Sequence, residues 1–215
     1  SQILLLRFVP EEALGGLYEA LLEAGLALPE AHTLLDITRC PGADTCNLAI
    51  TRSRGLAQAL EAHLSALPLA QDPGAKAIGV KISGCPNSCG QHHIADIGFY
   101  GSSRKVGERE VPHYVLLLGG RTREGEARFG QVVGRIPARR VPEAVERILK
   151  RYLEERQNGE SFQAYLDRVG AASFKPLPQD LQEVPPYEEA PEFYQDLGAE
   201  GEAFSVQLGR GECAV

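Results

Sequence analysis

The sequence predicts an α+β fold, and three observations support that class. Hydrophobic residues make up 43% of the 215 residues, which is enough for a buried core. Several stretches place apolar residues at the spacing of an amphipathic helix, whereas other short apolar runs have the length of strands. No internal repeat or low-complexity tract is present within the 215 residues. The chain is therefore predicted to combine helices and strands of ordinary length.

The first helix is predicted to begin at Pro10, whose fixed φ suits a first helical turn. Glu11 and Glu12 favour the positive end of its dipole, and Gly25 ends it. The other predicted elements, in chain order, are strands over 2–9 and 33–38, a helix over 47–67, strands over 77–83, 94–100, 112–118 and 127–136, a long helix from Pro142, and a last helix around 162–169.

Apolar periodicity supports the two longest predicted helices. In each of them, apolar residues recur every three or four positions and form one continuous face. On the helix over 47–67 these are Ala49, Leu56, Leu60, Leu64 and Leu67, and on the helix from Pro142 they are Val145, Ile148, Leu149, Tyr152 and Leu153. Each face is typical of an amphipathic helix.

Composition excludes several classes of protein. A net charge of −7 with 24% charged residues argues against both a disordered chain and a basic nucleic-acid surface. No apolar run approaches the ~20 residues that a membrane span needs, and no signal peptide is recognisable. We therefore expect a cytoplasmic protein with no nucleic-acid or membrane partner. In that compartment cysteines bind metals or carry out redox chemistry more often than they form disulfides.

The C-terminal segment has a different composition. Residues 176–209 contain no basic side chain and eight acidic ones, together with five prolines. Such a segment is predicted to lie on the surface without regular structure or to be partly disordered. Phe193, Tyr194 and Phe204 are its candidate anchors.

Four of the five cysteines lie in two loops, each predicted to follow a strand. The spacings are C-x5-C for Cys40 and Cys46 and C-x3-C for Cys85 and Cys89, with 38 residues between the pairs. Structural zinc usually takes closer pairs, and the wider first loop suits a larger iron–sulfur cube. Backbone N–H groups of helices starting after Cys46 and Cys89 are expected to stabilise its charge. Disulfides and a structural zinc site remain alternatives.

The two cysteine loops resemble the cluster motifs of the siroheme nitrite and sulfite reductases. The run Gly84–Gln91, followed by Ile94–Phe99, is similar to the second motif, and Cys40–Cys46 is similar to the first. The resemblance continues at Gly159–Phe162 and at Arg168–Gly170, and residues 1–28 resemble part of the family's ferredoxin-like half-domain. It covers about residues 1–175.

The resemblance implies a domain plan, a set of cofactors and a reaction. A ferredoxin-like half-domain segment (1–30) would precede a siroheme and [4Fe-4S] domain (31–175) and an acidic tail (176–215). Cys40, Cys46, Cys85 and Cys89 would hold the cluster, and Cys89 would also be the axial ligand of the siroheme iron. Ferredoxin or a similar donor would supply six electrons for reducing nitrite to ammonia or sulfite to sulfide. Asn87, Ser88 and Gln91 look slightly more like the nitrite-reducing members.

Family members are about twice as long as this chain, which matches only their C-terminal half. The residues that grip the anionic substrate belong to the other half, so the chain alone is expected to be inactive. One alternative is a siroheme relative with another substrate, such as a cobalamin-pathway oxygenase. A second alternative is a non-catalytic metal-binding module.

Several polar residues are further candidates around these motifs. Asn47, Asn87 and Gln91 are candidates for cofactor contact or for loop capping, and Arg39 and Arg52 for pairing with siroheme carboxylates or for surface salt bridges. A structural role is favoured over metal ligation for His92 and His93, and an inert tail position over a reactive thiol for Cys213. The arginines that would dock an acidic donor or simply be solvated are Arg121, Arg123, Arg128, Arg135, Arg139 and Arg140.

Overall fold

A single mixed sheet organises the computed structural model, which describes residues 5–27, 29–122 and 125–206. Its five strands follow one another in chain order across the sheet: β1 (Thr38–Arg39), β2 (Val80–Ser83), β3 (Ile97–Val106), β4 (Arg109–Leu118) and β5 (Gln131–Pro137). The first three strands run parallel to one another, and β4 and β5 add antiparallel pairs. This order confirms the mixed α and β class.

The described helices are α1 (Leu14–Glu23), α2 (Ser53–Ser65), α3 (Pro73–Lys76), α4 (Val141–Glu155) and α5 (Phe162–Val169), joined by short 3-10 turns. Helix α2 makes the crossover between parallel strands β1 and β2, and it packs against both strands and against α4. Leu60 on α2 and Leu149 on α4 are fully buried in the same core cluster as Phe99 of β3. Burying each such side chain contributes about 1.5–3 kcal/mol.

The elements closest to the cysteines differ most from the sequence-based prediction. Helix α2 begins at Ser53 rather than at residue 47, so no helix starts directly after Cys46. Strand β1 has only two residues, and most of the predicted strand over 33–38 consists of turns. The backbone N–H groups of Ile50 and Thr51 donate to the carbonyl of Gly84, at 2.8 and 3.0 Å, instead of entering a helix. Pairing between the two loops therefore replaces local secondary structure.

The described part of the predicted first strand is also not a strand. Residues 5–9 are irregular, and residues 1–4 lie outside the described part of the chain. Helix α1 follows as predicted, but none of its residues is buried. Tyr18 and Leu22 are each 57% exposed and Leu14 is 53% exposed, so α1 presents an uncovered apolar face.

The tail (residues 176–206) is better packed than its composition predicts. It contains only short 3-10 turns, as expected for a segment without regular structure. Yet Leu181 and Leu197 join the main core, and Phe193 and Tyr194 form a second cluster with Val111. Of the three candidate anchors, Phe193 and Tyr194 are buried, and the N–H of Phe204 donates to the carbonyl of Tyr194 at 2.8 Å. No described helix is long and apolar enough to cross a membrane.

Candidate metal centre

The two cysteine loops meet because they leave neighbouring parallel strands at the same edge of the sheet. Arg39 is paired with Ile82, so Cys40 follows the end of β1 and Cys85 lies two residues beyond the end of β2. The carboxyl ends of parallel strands are a common position for ligand sites. The pairing brings the first and third cysteines together across 44 intervening residues.

Glycines allow the two loops to touch. A Cβ added to Gly84 would lie 2.9 Å from the Cα of Gly42 and 2.6 Å from the carbonyl oxygen of Thr51. Gly42 itself has φ of +65°, a conformation that L side chains rarely adopt. The close approach lets the carbonyl of Gly84 accept from the first loop, so the loops form one unit.

The four cysteines of the motifs are free and lie within electrostatic reach of one another. Cys40 and Cys85 are buried, Cys46 is half-buried and Cys89 is exposed. Burial is the main reason that the pKa of the Cys85 thiol is raised, and the charges of Cys40, Cys89 and Cys46 raise it further. A backbone hydrogen bond from Asn87 opposes that shift. Mutual repulsion of this kind favours a bound cation, since metal ligation stabilises thiolates.

Hydrogen bonds hold the sulfur of Cys40 on the buried side. The backbone N–H of Gly84 donates to Cys40 Sγ at 3.1 Å, and the Oγ of Ser53 lies 3.4 Å from that sulfur. Ser53 Oγ also donates to the carbonyl of Cys40 at 2.7 Å. Donors aimed at cluster sulfurs tune the reduction potential of iron–sulfur sites. These residues therefore fit a thiolate ligand at Cys40.

The second loop is a tight turn around Cys89. Ser88 and Gln91 both have φ of +62°, which is uncommon for residues other than glycine. The hydroxyl of Ser83 accepts from the N–H of Gly90 at 3.0 Å and lies 2.8 Å from His92 Nδ1. Burial, assisted by the charge of His93, lowers the pKa of His92 to about 4. His92 is thus a neutral buried residue that helps to fix the turn.

The other sequence-predicted site residues lie around the cysteines without a shared arrangement. Asn47 is exposed next to Cys46, and Asn87 is exposed with its backbone close to Cys85. Gln91 Oε1 accepts from Lys81 Nζ at 2.6 Å. Arg39 donates to the carbonyl of Ile37 at 3.1 Å. Cys213 lies outside the described residues.

The arginines considered for a docking surface or for cofactor carboxylates mostly pair with the chain's own acids. Arg52 lies 3.5 Å from both Asp44 and Glu202, which favours surface ion pairs over cofactor contact. The other pairs are Arg121 and Arg128 with Asp167, Arg139 with Glu200, and Arg140 with Glu143. Arg135 is exposed, and Arg123 lies outside the described residues.

Sequence reasoning missed one residue near the site. Asp196 of the tail is only 4% exposed, and its carboxylate accepts from the backbone N–H of Arg52 at 2.7 Å. A cavity of about 330 Å³ lies between the tail and the first cysteine loop, with Cys46, Asn47 and Phe204 in its lining. An acidic segment predicted to be loosely structured gave no signal for this contact, because only tertiary packing brings it to the loop.

The described side chains do not form a site preorganised for a single metal ion. Within residues 5–27, 29–122 and 125–206, no three His, Cys, Asp or Glu side chains are placed to hold one metal ion. The four thiols of the motifs are free and form no disulfide with one another.

Comparisons with known proteins agree with this site. Residues 30–181 match the family model described as the nitrite and sulphite reductase 4Fe-4S domain. Sulfite reductase (ferredoxin) 1 of Mycolicibacterium paratuberculosis is 29% identical over 172 residues, covering 78% of this chain and 31% of the relative. The NADPH sulfite reductase hemoprotein beta-component of Nitrobacter winogradskyi is 31% identical over 140 residues, covering 63% and 22%.

The fold also matches a solved structure. The structure of the Mycobacterium tuberculosis NirA protein superposes with a TM-score of 0.64 at 25% identity, covering 78% of this chain and 31% of that chain. The matched region thus spans a third or less of the length of these relatives. Because the family model covers more than half of the chain and includes both cysteine loops, the chain belongs to the nitrite and sulphite reductase 4Fe-4S domain family.

Proposed function

We propose that this chain is the cluster-binding, C-terminal part of a siroheme-dependent reductase. Its cysteines Cys40, Cys46, Cys85 and Cys89 would hold a [4Fe-4S] cluster, and Cys89 would share its sulfur with the siroheme iron. One observation carries the proposal: four free thiols from two loops lie within electrostatic reach at the ends of two adjacent parallel strands.

The four thiols differ in burial, so the buried and the exposed ones would have different roles in binding cofactors. Cys40 and Cys85, both under 10% exposed, would hold the inner side of the cluster, where the N–H of Gly84 stabilises the Cys40 thiolate. Cys89 is exposed, so its sulfur is accessible to a large planar cofactor from outside. When bound, the coupled siroheme and cluster supply single-electron transfer and an iron that binds the substrate.

The remaining two thirds of such a reductase would supply the basic residues that hold an anionic substrate. This proposal agrees with the chain covering 31% of its ferredoxin-type relatives. It also agrees with the pairing of Arg52 and of most basic candidates to acids of this chain. We therefore expect no turnover from the 215 residues alone. Ferredoxin, which appears in the names of several relatives, is the proposed class of electron donor.

The substrate is proposed to be a small oxyanion reduced with six electrons. Asn87, Ser88 and Gln91 favour nitrite, which would give ammonia. Sulfite, which would give sulfide, is the second candidate, because the curated relatives described above are sulfite reductases. The two substrates are distinguished by measuring both rates on the protein combined with the missing part of the enzyme.

The first test is the metal content of protein purified without oxygen. We expect iron and acid-labile sulfide in near-equal amounts, with zinc absent, and a visible spectrum typical of a [4Fe-4S] cluster. Cys40→Ser and Cys85→Ser are each expected to abolish most of the bound iron. Cys213→Ser is the matched control, since it makes the same substitution outside both motifs, and it should retain the iron.

Three results would contradict parts of the proposal. Zinc without sulfide after anaerobic reconstitution would indicate a structural metal module. Equal iron loss in Cys213→Ser and Cys85→Ser would show that the iron is not held by the motif cysteines. A steady rate of nitrite or sulfite reduction from the isolated chain would disprove its dependence on a missing part.

A further inference from the structure

The end of the described tail, called the strap (residues 191–206), packs on Arg52 and Gly55 and lies across a cavity from the first cysteine loop. Its most buried polar group is the carboxylate of Asp196, 4% exposed. Asp196 Oδ2 accepts from the N–H of Arg52 at 2.7 Å, and Oδ1 accepts from the N–H of Leu197 at 2.9 Å. These two hydrogen bonds hold the Asp196 side chain against the backbone, because losing either donor would leave a buried charge poorly solvated.

Arg52 lies between two residues that bond the first cysteine loop. Its neighbour Thr51 accepts at its carbonyl from the N–H of Ala43, at 3.0 Å, which closes the first loop. Its other neighbour, Ser53, bonds the carbonyl of Cys40 and lies beside the sulfur of that residue. Asp196 therefore holds the backbone between the two residues that shape the loop.

Shape complementarity fixes the strap on helix α2. Leu197 is 7% exposed and belongs to the main core. Its carbonyl lies so close to Gly55 that a Cβ added there would collide with it. Gly55 is therefore required by the strap rather than by the helix, since alanine is the better helix former by about 1 kcal/mol.

The side chain of Arg52 fastens the strap at a second point. Its guanidinium donates to the carbonyl of Gly198 at 3.2 Å and pairs with Glu202 at 3.5 Å. The resulting cavity, about 330 Å³, has Cys46 on one wall and Phe204 and Ser205 of the strap on another. The strap also lies beyond residue 181, where the match to the family model ends.

We propose that the strap holds the first cysteine loop in its ligand-binding conformation and restricts access to Cys46, with Asp196 as the positioning residue. The effect of the strap on a bound cluster rests on the function proposed above. The effect of the strap on the metal-free loop does not depend on that function, so experiments on metal-free protein test the strap separately.

The first experiment uses Gly55→Ala, which blocks the strap while favouring helix α2. Reduced, metal-free protein is treated with iodoacetamide, and the alkylation rate of each cysteine is followed by mass spectrometry. We expect Cys46 to react at least about tenfold faster than in the wild type, while Cys89, exposed on the other loop, keeps its rate. Gly16→Ala, at an open position of helix α1, is the matched control and should change neither rate.

A second pair of variants tests Asp196 itself. Asp196→Ala should raise the Cys46 rate as Gly55→Ala does, and Asp196→Asn, which keeps one acceptor oxygen, should restore most of the protection. Asp180→Ala makes the same substitution elsewhere in the tail, where Asp180 pairs with Arg147 at 2.7 Å, and it should leave Cys46 protected. An unchanged Cys46 rate in both Gly55→Ala and Asp196→Ala overturns the proposal. So does an equal rise at Cys46 and Cys89, which would mean general loosening.

The cluster provides a separate readout. In anaerobically reconstituted protein, Gly55→Ala and Asp196→Ala should lose the visible absorption of the cluster in air several-fold faster than wild type and Gly16→Ala. Absence of iron from every variant and from the wild type contradicts the proposed function alone, because the alkylation rates still test the strap. Equal bleaching rates in protein that does bind iron overturn the protective role of the strap.

Discussion

At the residue scale, a buried carboxylate makes the stability of this protein depend on pH. Burial raises the pKa of Asp196 from 3.8 to about 6, and the charge of Asp44 adds to the shift. Arg52 and the backbone donors oppose it. The folded protein therefore binds the proton of Asp196 more tightly than the unfolded chain does. The contribution of protonated Asp196 to the free energy of unfolding is therefore complete below pH 4 and is lost as the pH rises through 6.

This shift predicts the behaviour of Asp196→Asn, which mimics the protonated carboxyl. The free energy of unfolding of the wild type, relative to the variant, should fall by up to about 3 kcal/mol between pH 4 and pH 7. Urea unfolding at a series of pH values measures the difference. Asp180→Asn serves as the control with the opposite sign, because the Arg147 side chain lowers the pKa of Asp180. A difference for Asp196→Asn that does not vary with pH would refute the prediction.

At the residue scale, the sequence predicts the cysteines of the site but not the residues that contact them from distant parts of the chain. The spacing of Cys40, Cys46, Cys85 and Cys89 is a local pattern, and the structure brings these four residues together. The contacts of Ser53 and Asp196 are not local, since the partner of Asp196 lies 144 residues away. Such partners depend on how loops and tail pack, and no spacing rule in one sequence indicates them.

At the scale of elements, periodicity predicted the helices that face the core and failed beside the cysteines. Helix α4 begins at Val141, one residue before the predicted Pro142, and its apolar residues Val145, Ile148 and Leu149 are buried as the periodicity predicts. Helix α2 begins six residues later than predicted, because the N–H groups of Ile50 and Thr51 bond the second loop. Backbone N–H groups beside the cysteines can bond either within a helix or to the other loop. Tertiary contacts decide between the two, and the periodicity of the sequence carries no information about those contacts.

The contrast between helices α4 and α1 predicts a large difference between two leucine substitutions. Leu149→Ala, at a fully buried position of α4, should lower the free energy of unfolding by about 2–5 kcal/mol. Leu22→Ala, at a position of α1 that is 57% exposed, should change it by less than about 0.5 kcal/mol. Chemical denaturation measures both. Similar losses in the two variants would mean that α1 is packed in solution.

At the scale of the whole molecule, the described part of the chain combines a covered main core with an apolar face that is uncovered. Helix α1 has no buried residue, and Leu5 and Phe8 before it are 76% and 91% exposed. An exposed face of this kind usually marks a contact with another chain or segment. The domain plan that separates residues 1–30 stays a prediction.

This face predicts self-association of the isolated chain. Sedimentation or light scattering should show a mass that rises with protein concentration. Removing residues 1–29 should abolish that rise without lowering the melting temperature, because α1 adds nothing to the main core. A truncated protein that associates as strongly as the full chain would place the adhesive surface elsewhere.

The pairing of β1 with β2 has a consequence for the mechanics of the fold. The ligand loops are separated along the chain by the whole of α2 and α3, so a shared cluster would join distant points of the polypeptide as a cross-link does. In a chain-entropy model, closing a loop of about 40 residues removes unfolded-state freedom worth about 4 kcal/mol. Oxidative loss of a bound cluster would then remove this cross-link as well as a redox group. The stability of the sheet that joins the two loops would fall with it.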